Sequence, residues 1–451
     1  MSEIQGGAAV DIDAATRQVR YHDDSGHEES TLSTNPEHQH RKPELIMTHA
    51  ASTLHPKRWQ SVVDLATGWC ETRQLPCIAI MTGTAETITG RLEVTEPQGE
   101  LQGDPSVRLH EDAIFLVASI TKPVVATALM MLVERGLLTL GDRVVDLIPE
   151  FGREGKYGVE VRHLLTHTSG LPDMLPDNRE LRQSHASLER FVERVCQEPL
   201  AFPPGRGVQY QSMGYAILGE MIARITGKTC AEFLQQELFQ PLGMSDTALG
   251  APDTWFQGPA PRVDRIPPAI VPADHASGTD WNWNSRYWRQ LGAPWGGMLT
   301  SAADLAKFAQ FLLRGGTTSA GVLADPSTTI ADAAHFPAFS NPKAVAVNRL
   351  LATATIAAST RNQLTCLRDV PEDDRRCRPW GLGWRLNWPA HSANFGDLLG
   401  PNTYGHWGAT GTVLWIDPDR GHFALILTTL PQEPSGKYLS RLSNGIAAAW
   451  E

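Results

Sequence analysis

The spacing of hydrophobic positions changes along this chain, and the first 95 residues contain three different patterns. Residues 1–45 are polar and rich in His, Glu and Ser, which is typical of a disordered or loosely docked arm. In residues 55–74 the apolar positions recur at helical spacing, which predicts an amphipathic helix. Residues 76–83 and 85–95 are short runs with strand composition, and they predict two β-strands.

The middle of the chain has mainly helical patterns. Residues 120–136 are apolar on every side and stop at Gly136, which predicts a central, buried helix. Loops are predicted in the Trp- and Pro-rich region 250–296 and in the weakly patterned region 315–378. Further helices are predicted over 187–197, 213–227, 230–238 and 301–314.

The C-terminal part returns to strands. Residues 380–388 and 412–430 predict β-structure, the second run turning at residues 417–421, and residues 435–450 predict a closing helix. Because helix and strands occur at both chain ends, with helices between them, the two ends are expected to build one α/β domain together. We therefore expect a polar arm over 1–45, an α/β domain over 46–118 and 291–451, and a mainly helical domain over 119–290, with the active site at their interface.

Composition and charge narrow the class of protein. The chain has 451 residues, 41% hydrophobic and 20% charged, with a formal net charge of −11, which is ordinary for a soluble globular protein. The acidic balance gives no reason to expect nucleic acid or an anionic membrane as a partner. No apolar run approaches the roughly 20 residues that span a bilayer. The composition leaves the oligomeric state open.

The N-terminus and the cysteines suggest a compartment. The first residues lack the basic and apolar regions of a secretory signal, so we expect a cytoplasmic protein. The six cysteines show no C-x-x-C pairing and are expected to be free thiols. A disulfide between Cys366 and Cys377 stays open as an alternative.

A serine and a lysine lie three residues apart at the start of the buried helix. Ser119 and Lys122 fit S-x-x-K, and residues at this spacing share one face of a helix. Pro123 is tolerated only in a first turn, so the helix begins near Ser119, where free N–H groups favour a developing oxyanion. The structural alternative is an N-capping serine beside a lysine whose stem covers apolar surface. The same pattern recurs at residues 340–343, in a Pro-containing loop with no helix behind it, so context must decide.

The chain also supplies a phenol and a glycine-containing strand. A serine hydroxyl needs a base to become a nucleophile, and a lysine and a phenol are able to share its proton. Tyr210 directly precedes the helix predicted over 213–227, and His406-Trp407-Gly408 leads into a predicted strand.

Together these motifs resemble a known superfamily. Four further segments complete the succession: VRHLLTHTSGLPD (161–173), LFQPLGMSDTAL (238–249), GGMLTSAADLAKFAQFLL (296–313) and PWGLGWRL (379–386). In order and spacing the whole set resembles the serine β-lactamase-like superfamily, and within it class C β-lactamases and family VIII carboxylesterases, over residues 55–450. The resemblance implies a β-lactamase/transpeptidase-like α/β fold, in which an antiparallel sheet flanked by helices adjoins a mostly helical domain.

The resemblance also implies catalytic roles. Ser119 matches the acylated nucleophile, Lys122 the residue that takes or shares its proton, and Tyr210 the general base and later proton shuttle. His406-Trp407-Gly408 occupies the place of the family's K-T-G strand. The backbone N–H groups of Ser119 and Ala409 would then form the oxyanion hole, where losing one donor costs about 100- to 1000-fold in rate.

Departures from the family pattern point to the substrate. The asparagine of the family's Y-x-N motif is Ser212 here, and the lysine and threonine of K-T-G are His406 and Trp407. In β-lactamases the replaced residues help to hold the antibiotic's carboxylate and amide, so the resemblance favours uncharged esters. We expect His406 to orient the catalytic tyrosine or to bind the substrate's polar end. Trp288 and Trp295 are the best candidates for one wall of an apolar pocket.

We therefore predict a serine hydrolase that cleaves small-molecule carboxylic esters through an acyl-enzyme, with no metal or cofactor. A β-lactamase, a D-amino-acid peptidase and an acyltransferase are rivals with the same machinery, and a catalytically silent sensor is a rival of another class. The α/β-hydrolase motif G-x-S-x-G is absent. His163 and His167 are spaced like a metal pair, but the remaining ligands are missing, and Asp173 is expected to serve a turn or cap.

Overall fold

The chain divides into two compact units, residues 1–50 and residues 51–451. The computed structural model describes residues 10–13, 18–21, 53–95, 112–271, 279–318, 349–387, 395–431 and 437–451. In the first unit two short strands pair antiparallel, and the rest of the arm predicted over 1–45 lies outside the described residues, as does the second S-x-x-K at 340–343. Division of the second unit into an α/β and a helical domain stays a prediction.

The secondary structure elements have the following bounds. The strands are Val10–Asp13 (β1), Gln18–Tyr21 (β2), Cys77–Thr84 (β3), Ile88–Thr95 (β4), Ile114–Leu116 (β5), Ala248–Leu249 (β6), Met298–Ser301 (β7), Arg385–Leu386 (β8), Tyr404–Gly408 (β9), Thr412–Asp417 (β10) and His422–Thr428 (β11). The helices are Pro56–Glu71 (α1), Thr121–Glu134 (α2), Val144–Leu147 (α3), Val161–Leu165 (α4), Asn178–Gln183 (α5), Leu188–Gln197 (α6), Met213–Thr226 (α7), Cys230–Leu234 (α8), Arg286–Leu291 (α9), Ala302–Leu313 (α10), Thr353–Ser359 (α11), Glu372–Cys377 (α12) and Lys437–Ala449 (α13). Turns of 3-10 helix occur at Ala118–Ile120, Pro149–Gly152, Lys156–Gly158, Asp253–Phe256, Arg262–Arg265 and Leu364–Cys366, and a turn of π-helix occurs at Gln235–Phe239.

An antiparallel sheet of six strands, in the order β4-β3-β11-β10-β9-β8, forms the centre of the second unit. Both of its faces are covered, because alternate residues of one strand enter different cores. In β10, Leu414 and Ile416 join the core that contains α2 and α10, whereas Val413 and Trp415 join the core that contains α1 and α13. Strands buried on both faces are continuous hydrophobic runs, which explains the unbroken apolar sequence of β10 and β11. The sheet flanked by helices confirms the predicted β-lactamase/transpeptidase-like fold.

The central helix α2 positions the chemistry. Its side chains from Thr121 to Leu132 are all buried, as the apolar pattern on every side predicts. A turn of 3-10 helix, Ala118–Ile120, leads into it and carries the predicted nucleophile. A second sheet, in the order β5-β7-β6, holds the chain that enters this turn, since Val117 N donates to Met298 O at 3.1 Å.

One predicted strand forms only in part. Within the described residues 380–387, the strand expected over 380–388 pairs with the sheet only at Arg385–Leu386. The residues before it turn tightly, because Gly383 adopts a φ of 80° and a Cβ at Gly381 would lie 2.2 Å from Ser359 O. Two glycines in this run favour close backbone approach over a regular strand.

Two further expectations concern the cysteines and the membrane. None of the six cysteines, all of which lie in the described ranges, forms a disulfide, and Cys366 and Cys377 are both exposed. Within the described ranges, none of the helices combines the length and the apolar character that a bilayer crossing requires.

Stability is expected to fall in mild acid because of a buried histidine. His422 lies opposite Asp417 in the β10–β11 register, stacks on Trp450 with ring centroids 4.9 Å apart, and is fully buried. Burial lowers the pKa of its imidazole to about 4. The unfolded chain, with a pKa near 6.5, therefore binds more protons below neutrality, so this stabilisation is complete above about pH 6.5 and is lost as the pH falls toward 4.

Urea unfolding at pH 7.5 and pH 4.5 measures this effect. The unfolding free energy of both proteins is expected to fall from pH 7.5 to pH 4.5. In His422→Gln this fall should be about 2 kcal/mol smaller than in the wild type. His185→Gln, at an exposed histidine, serves as the control. Equal losses in wild type and His422→Gln would show that His422 is not the source of the acid sensitivity.

Candidate active site

Ser119 and Lys122 are in direct contact. Lys122 Nζ donates to Ser119 Oγ at 3.0 Å and to the backbone carbonyl of Trp295 at 2.7 Å, and the lysine side chain is fully buried. No side-chain cap bond is found at the start of α2. Since Lys122 reaches no solvent and Ser119 caps no helix, the geometry does not match the structural alternative of a capping serine and a surface lysine.

The turn that carries Ser119 is held in an uncommon conformation. Ala118 adopts a φ of 45°, in the left-handed region that residues other than glycine seldom occupy. The turn is fixed from two sides, because Thr121 Oγ1 donates to Ala118 O at 2.6 Å and Thr410 Oγ1 donates to Leu116 O at 2.6 Å. Backbone strain of this kind occurs at functional sites where the surrounding structure fixes it. Here it presents Ser119 to the cavity.

Tyr210 completes the group. Lys122 Nζ lies 4.8 Å from the centroid of the Tyr210 ring, and a second ring, that of Tyr215, lies 5.7 Å from the same nitrogen. Tyr210 is half-buried and lines the same cavity as Ser119, whereas Tyr215 is fully buried and its hydroxyl has no partner within the described part of the chain. The structure therefore brings Ser119, Lys122 and Tyr210 together.

Strand β9 runs beside the nucleophile. A Cβ at Gly408 would lie 2.2 Å from Val117 O and 2.4 Å from Thr412 Oγ1, so only glycine lets the strand approach this closely. His406, two residues earlier, is fully buried and its Nδ1 lies 2.7 Å from the carbonyl oxygen of Trp407. Burial and, to a smaller extent, the charges of Arg385 and Lys122 hold the pKa of His406 well below its usual range. The imidazole is therefore neutral at physiological pH.

A cavity of about 290 Å³ opens in front of Ser119. Several residues singled out in the sequence line it: Ser119, Tyr210, Ser212, Trp288, Trp295, Trp407 and Ala409. Within the described ranges, His406 and Gly408 are not among the residues that line the cavity. Trp283 and Met174 extend the apolar wall formed by Trp288 and Trp295.

Arg385 is the functional candidate that sequence reasoning missed. It lines the cavity, and its guanidinium carbon lies 3.8 Å from the ring centroid of Trp407 and 4.9 Å from that of Tyr210. Burial lowers the pKa of Arg385 to about 10, an effect that Tyr210 opposes, so the side chain remains a cation at neutral pH. In the sequence, Arg385 is recognisable only as the arginine that directly follows the Gly-Leu-Gly-Trp turn. The direction in which its side chain points depends on the pairing of β8 with β9.

Asp173 has a role beyond a turn or cap. It lines the cavity, and its Oδ1 accepts from Ser212 Oγ at 2.6 Å, while its carbonyl oxygen accepts from Ser212 N at 3.2 Å. The serine that replaces the family's asparagine is thus held by a carboxylate and does not point free into the cavity.

The neighbouring histidines accept backbone hydrogen bonds. His163 Nδ1 accepts from Glu160 N, and His167 Nδ1 accepts from Gln211 N, each at 3.0 Å. Across the described part of the chain no three His, Cys, Asp or Glu side chains are grouped so that they could hold a metal ion.

Comparison with known proteins indicates the family to which the chain belongs. The pattern of the Beta-lactamase family matches residues 83–447. Penicillin-binding protein 4 of Amycolatopsis lactamdurans is 28% identical over 337 residues, which is 73% of this chain and 76% of that protein. Esterase EstB of Burkholderia gladioli is 35% identical over 193 residues, 39% of this chain and 47% of that protein.

Solved structures share the fold. A penicillin-binding protein homologue from Caulobacter crescentus superposes with a TM-score of 0.65 at 21% identity, over 88% of this chain and 99% of that one. A family VIII carboxylesterase superposes with a TM-score of 0.63 at 19% identity, over 87% and 99% of the two chains.

The chain belongs to the Beta-lactamase family. It is thereby a member of the superfamily of serine hydrolases that contains esterases, penicillin-binding proteins and β-lactamases.

Proposed function

We propose that the protein hydrolyses carboxylic esters through an acyl-enzyme on Ser119. The observation that carries the proposal is the hydrogen bond from the fully buried Lys122 Nζ to Ser119 Oγ, beside the ring of Tyr210. A buried amine and a phenol around one hydroxyl form the arrangement that activates a serine nucleophile.

The reaction proceeds in two balanced steps. Ser119 Oγ bonds to the ester carbonyl carbon, its proton passes to Lys122 or Tyr210, and the bond to the alkoxy oxygen breaks as that oxygen receives a proton and leaves as the alcohol. A water molecule then attacks the acyl-serine, gives up a proton to the same pair, and releases the carboxylic acid and the free serine. Each proton transfer of this kind contributes about 100- to 10,000-fold in rate.

The oxyanion hole in this proposal consists of the backbone N–H groups of Ser119 and Ala409. Both residues line the cavity, and Gly408 allows β9 to lie against Val117, next to the nucleophile. Donors fixed in this way stabilise the negative charge that develops on the carbonyl oxygen.

The wall of the cavity supports an ester with an apolar acyl group. Trp283, Trp288, Trp295 and Met174 supply apolar surface, and the neutral, buried His406 offers no cation to a substrate carboxylate. The similarity of the chain to esterase EstB and to a family VIII carboxylesterase supports the same substrate class.

Arg385 favours a second candidate function. A β-lactamase or a D-amino-acid peptidase needs a cation for the substrate carboxylate, and Arg385 places one in the cavity where His406 does not. The matches to penicillin-binding protein 4 and to a putative D-alanyl-D-alanine carboxypeptidase of Salmonella typhi point in this direction. Acyl transfer to an alcohol instead of water uses the same first step, and the fold neighbour EstCE1 is described as having promiscuous acyltransferase activity.

Parallel rate assays on the purified protein separate these functions. With p-nitrophenyl butyrate and a chromogenic cephalosporin, we expect kcat/KM for the ester to exceed that for the cephalosporin at least about 100-fold, a gap of roughly 2.7 kcal/mol in transition-state binding. Arg385→Gln is expected to lower the residual cephalosporin turnover at least about tenfold more than it lowers ester turnover, because it removes a charge-assisted contact to the substrate carboxylate. Cephalosporin turnover that equals ester turnover and collapses in Arg385→Gln would instead establish the second function.

Failure of a fluorophosphonate to label Ser119, together with no turnover, would favour a silent sensor.

A further inference from the structure

The backbone on both sides of Tyr210 is attached to a single residue, His167. Gln209 N donates to the carbonyl oxygen of His167 at 2.9 Å, and Gln211 N donates to the ring nitrogen Nδ1 of His167 at 3.0 Å. These two bonds bracket Tyr210, which precedes helix α7 and has no regular secondary structure of its own. The backbone N–H groups on both sides of Tyr210 are thus held by a residue more than forty positions earlier in the chain.

We infer that His167 is a positioning residue, which holds Tyr210 in register with Ser119 and Lys122 through this pair of hydrogen bonds. The inference rests on the proposed function, in which Tyr210 moves the protons. His167 does not line the cavity as far as the described residues define it, so it acts through Tyr210 and not on the substrate.

Packing restricts the His167 ring as well as its backbone. The ring lies 4.7 Å from the Tyr210 ring and 4.1 Å from the Trp380 ring, between centroids, and the residue is fully buried. Its φ of 60° lies in the left-handed region, where His and Asn occur more often than most residues other than glycine. The imidazole therefore has little freedom to turn Nδ1 away from Gln211.

The ring must be neutral to accept this bond. Burial, with the charges of Lys122 and Arg385 as smaller causes, holds the pKa of His167 well below its usual range, which keeps Nδ1 unprotonated. Among the described residues, the other ring nitrogen, Nε2, has no hydrogen-bond partner. Replacement by phenylalanine therefore keeps an aromatic ring and removes one hydrogen bond, whereas replacement by asparagine keeps an oxygen acceptor near the Nδ1 position.

His163 provides a matched control. It too is a buried histidine whose Nδ1 accepts a backbone N–H at 3.0 Å, but its donor is Glu160, at the start of α4. His163→Phe removes the same kind of ring bond a few residues away. It keeps the backbone carbonyl oxygen of His163, which accepts from Gln211 Nε2 at 3.2 Å, so the segment around Tyr210 stays attached. A purely structural role for both histidines predicts equal effects of the two substitutions on activity.

Ester kinetics test the inference first. His167→Phe is expected to lower kcat about 30-fold or more with KM within twofold, since misplacing a catalytic group by about 1 Å costs around 100-fold. His167→Asn should restore kcat to within about fivefold of wild type, and His163→Phe should stay within about twofold. When Tyr210 is already replaced by phenylalanine, His167→Phe should lower kcat by less than a further factor of about two, because the effects of residues that act as one unit are not additive. Equal losses in both backgrounds, or in His163→Phe, would overturn the inference.

Amide hydrogen exchange tests it without any reaction. In protein labelled with 15N-glutamine, the Gln209 and Gln211 amides should both exchange slowly in the wild type. In His167→Phe the Gln211 amide should exchange at least about tenfold faster, because a buried backbone donor has lost its acceptor, while the Gln209 amide changes less. Unchanged exchange at Gln211 would refute the hydrogen-bonded attachment. No ester turnover by the wild type, with slow exchange present, would refute the proposed function and not the attachment.

Discussion

Ester turnover is expected to fall at least about 10,000-fold when Ser119 is replaced by alanine, because the variant lacks the atom to which the acyl group is transferred. Lys122 keeps its hydrogen bond to the carbonyl oxygen of Trp295, so the side chain stays in place without the serine hydroxyl. The expected change is therefore in kcat, with thermal stability close to that of the wild type. Rates with p-nitrophenyl butyrate and a melting curve on the same preparation measure both quantities.

Ser212→Ala is the matched control for the Ser119 variant. Ser212 lines the same cavity, but its hydroxyl donates to Asp173 and lies outside the Ser119–Lys122 pair. We expect its loss to lower kcat less than about tenfold, because this hydroxyl holds Asp173 at the edge of the cavity and takes no part in acyl transfer. If Ser119→Ala retained more than about 1% of wild-type turnover, the acyl-enzyme on Ser119 would be wrong.

Tyr210→Phe is expected to lower kcat about 100- to 10,000-fold, the contribution of a positioned general base or acid. The substitution removes only the hydroxyl, so the ring keeps its contacts with Lys122, His167 and Trp380. Stability should change little, since the residue is half-buried and retains its aromatic packing. The measurement is kcat and kcat/KM with p-nitrophenyl butyrate for wild type and variant.

Tyr215→Phe controls for the loss of a hydroxyl near the same lysine. The Tyr215 ring also lies close to Lys122 Nζ, yet its hydroxyl is buried without a partner in the described part of the chain. Removing an unsatisfied buried hydroxyl is neutral or stabilising, so activity should stay within about twofold and the melting temperature should not fall. If the two phenylalanine variants lost activity equally, Tyr210 would have no special part in proton transfer.

Local sequence was sufficient for most elements of the fold. Helix α2, the hairpin of β10 and β11, and helix α13 all follow from the spacing of apolar residues, because that spacing reflects which side of an element is buried. The strand expected over 380–388 forms only in part, because glycines at 381 and 383 allow a tight turn that apolar residues alone do not indicate. The regions 250–296 and 315–378, which were predicted as loops, contain the short helices α9, α11 and α12.

The candidate catalytic residues were also accessible from the sequence, for a related reason. Ser119 and Lys122 are three residues apart on one turn, so their contact is a local property of the chain. The order of the Tyr210 and His406-Trp407-Gly408 motifs then indicated the family, and the family match over residues 83–447 confirms it. By itself the sequence therefore determined the fold class, the superfamily and a short list of reactive groups.

Only the tertiary structure decided how those groups are surrounded. The direction of Arg385 depends on how β8 pairs with β9, the attachment of Tyr210 to His167 joins two distant loops, and the burial of His406 depends on packing around the sheet. No periodicity or residue spacing in the sequence indicates these contacts. Each joins two segments whose separation along the chain is unrelated to their separation in space. The charge and apolar surface that meet a substrate are set by such contacts, and they determine which bond this chain cleaves.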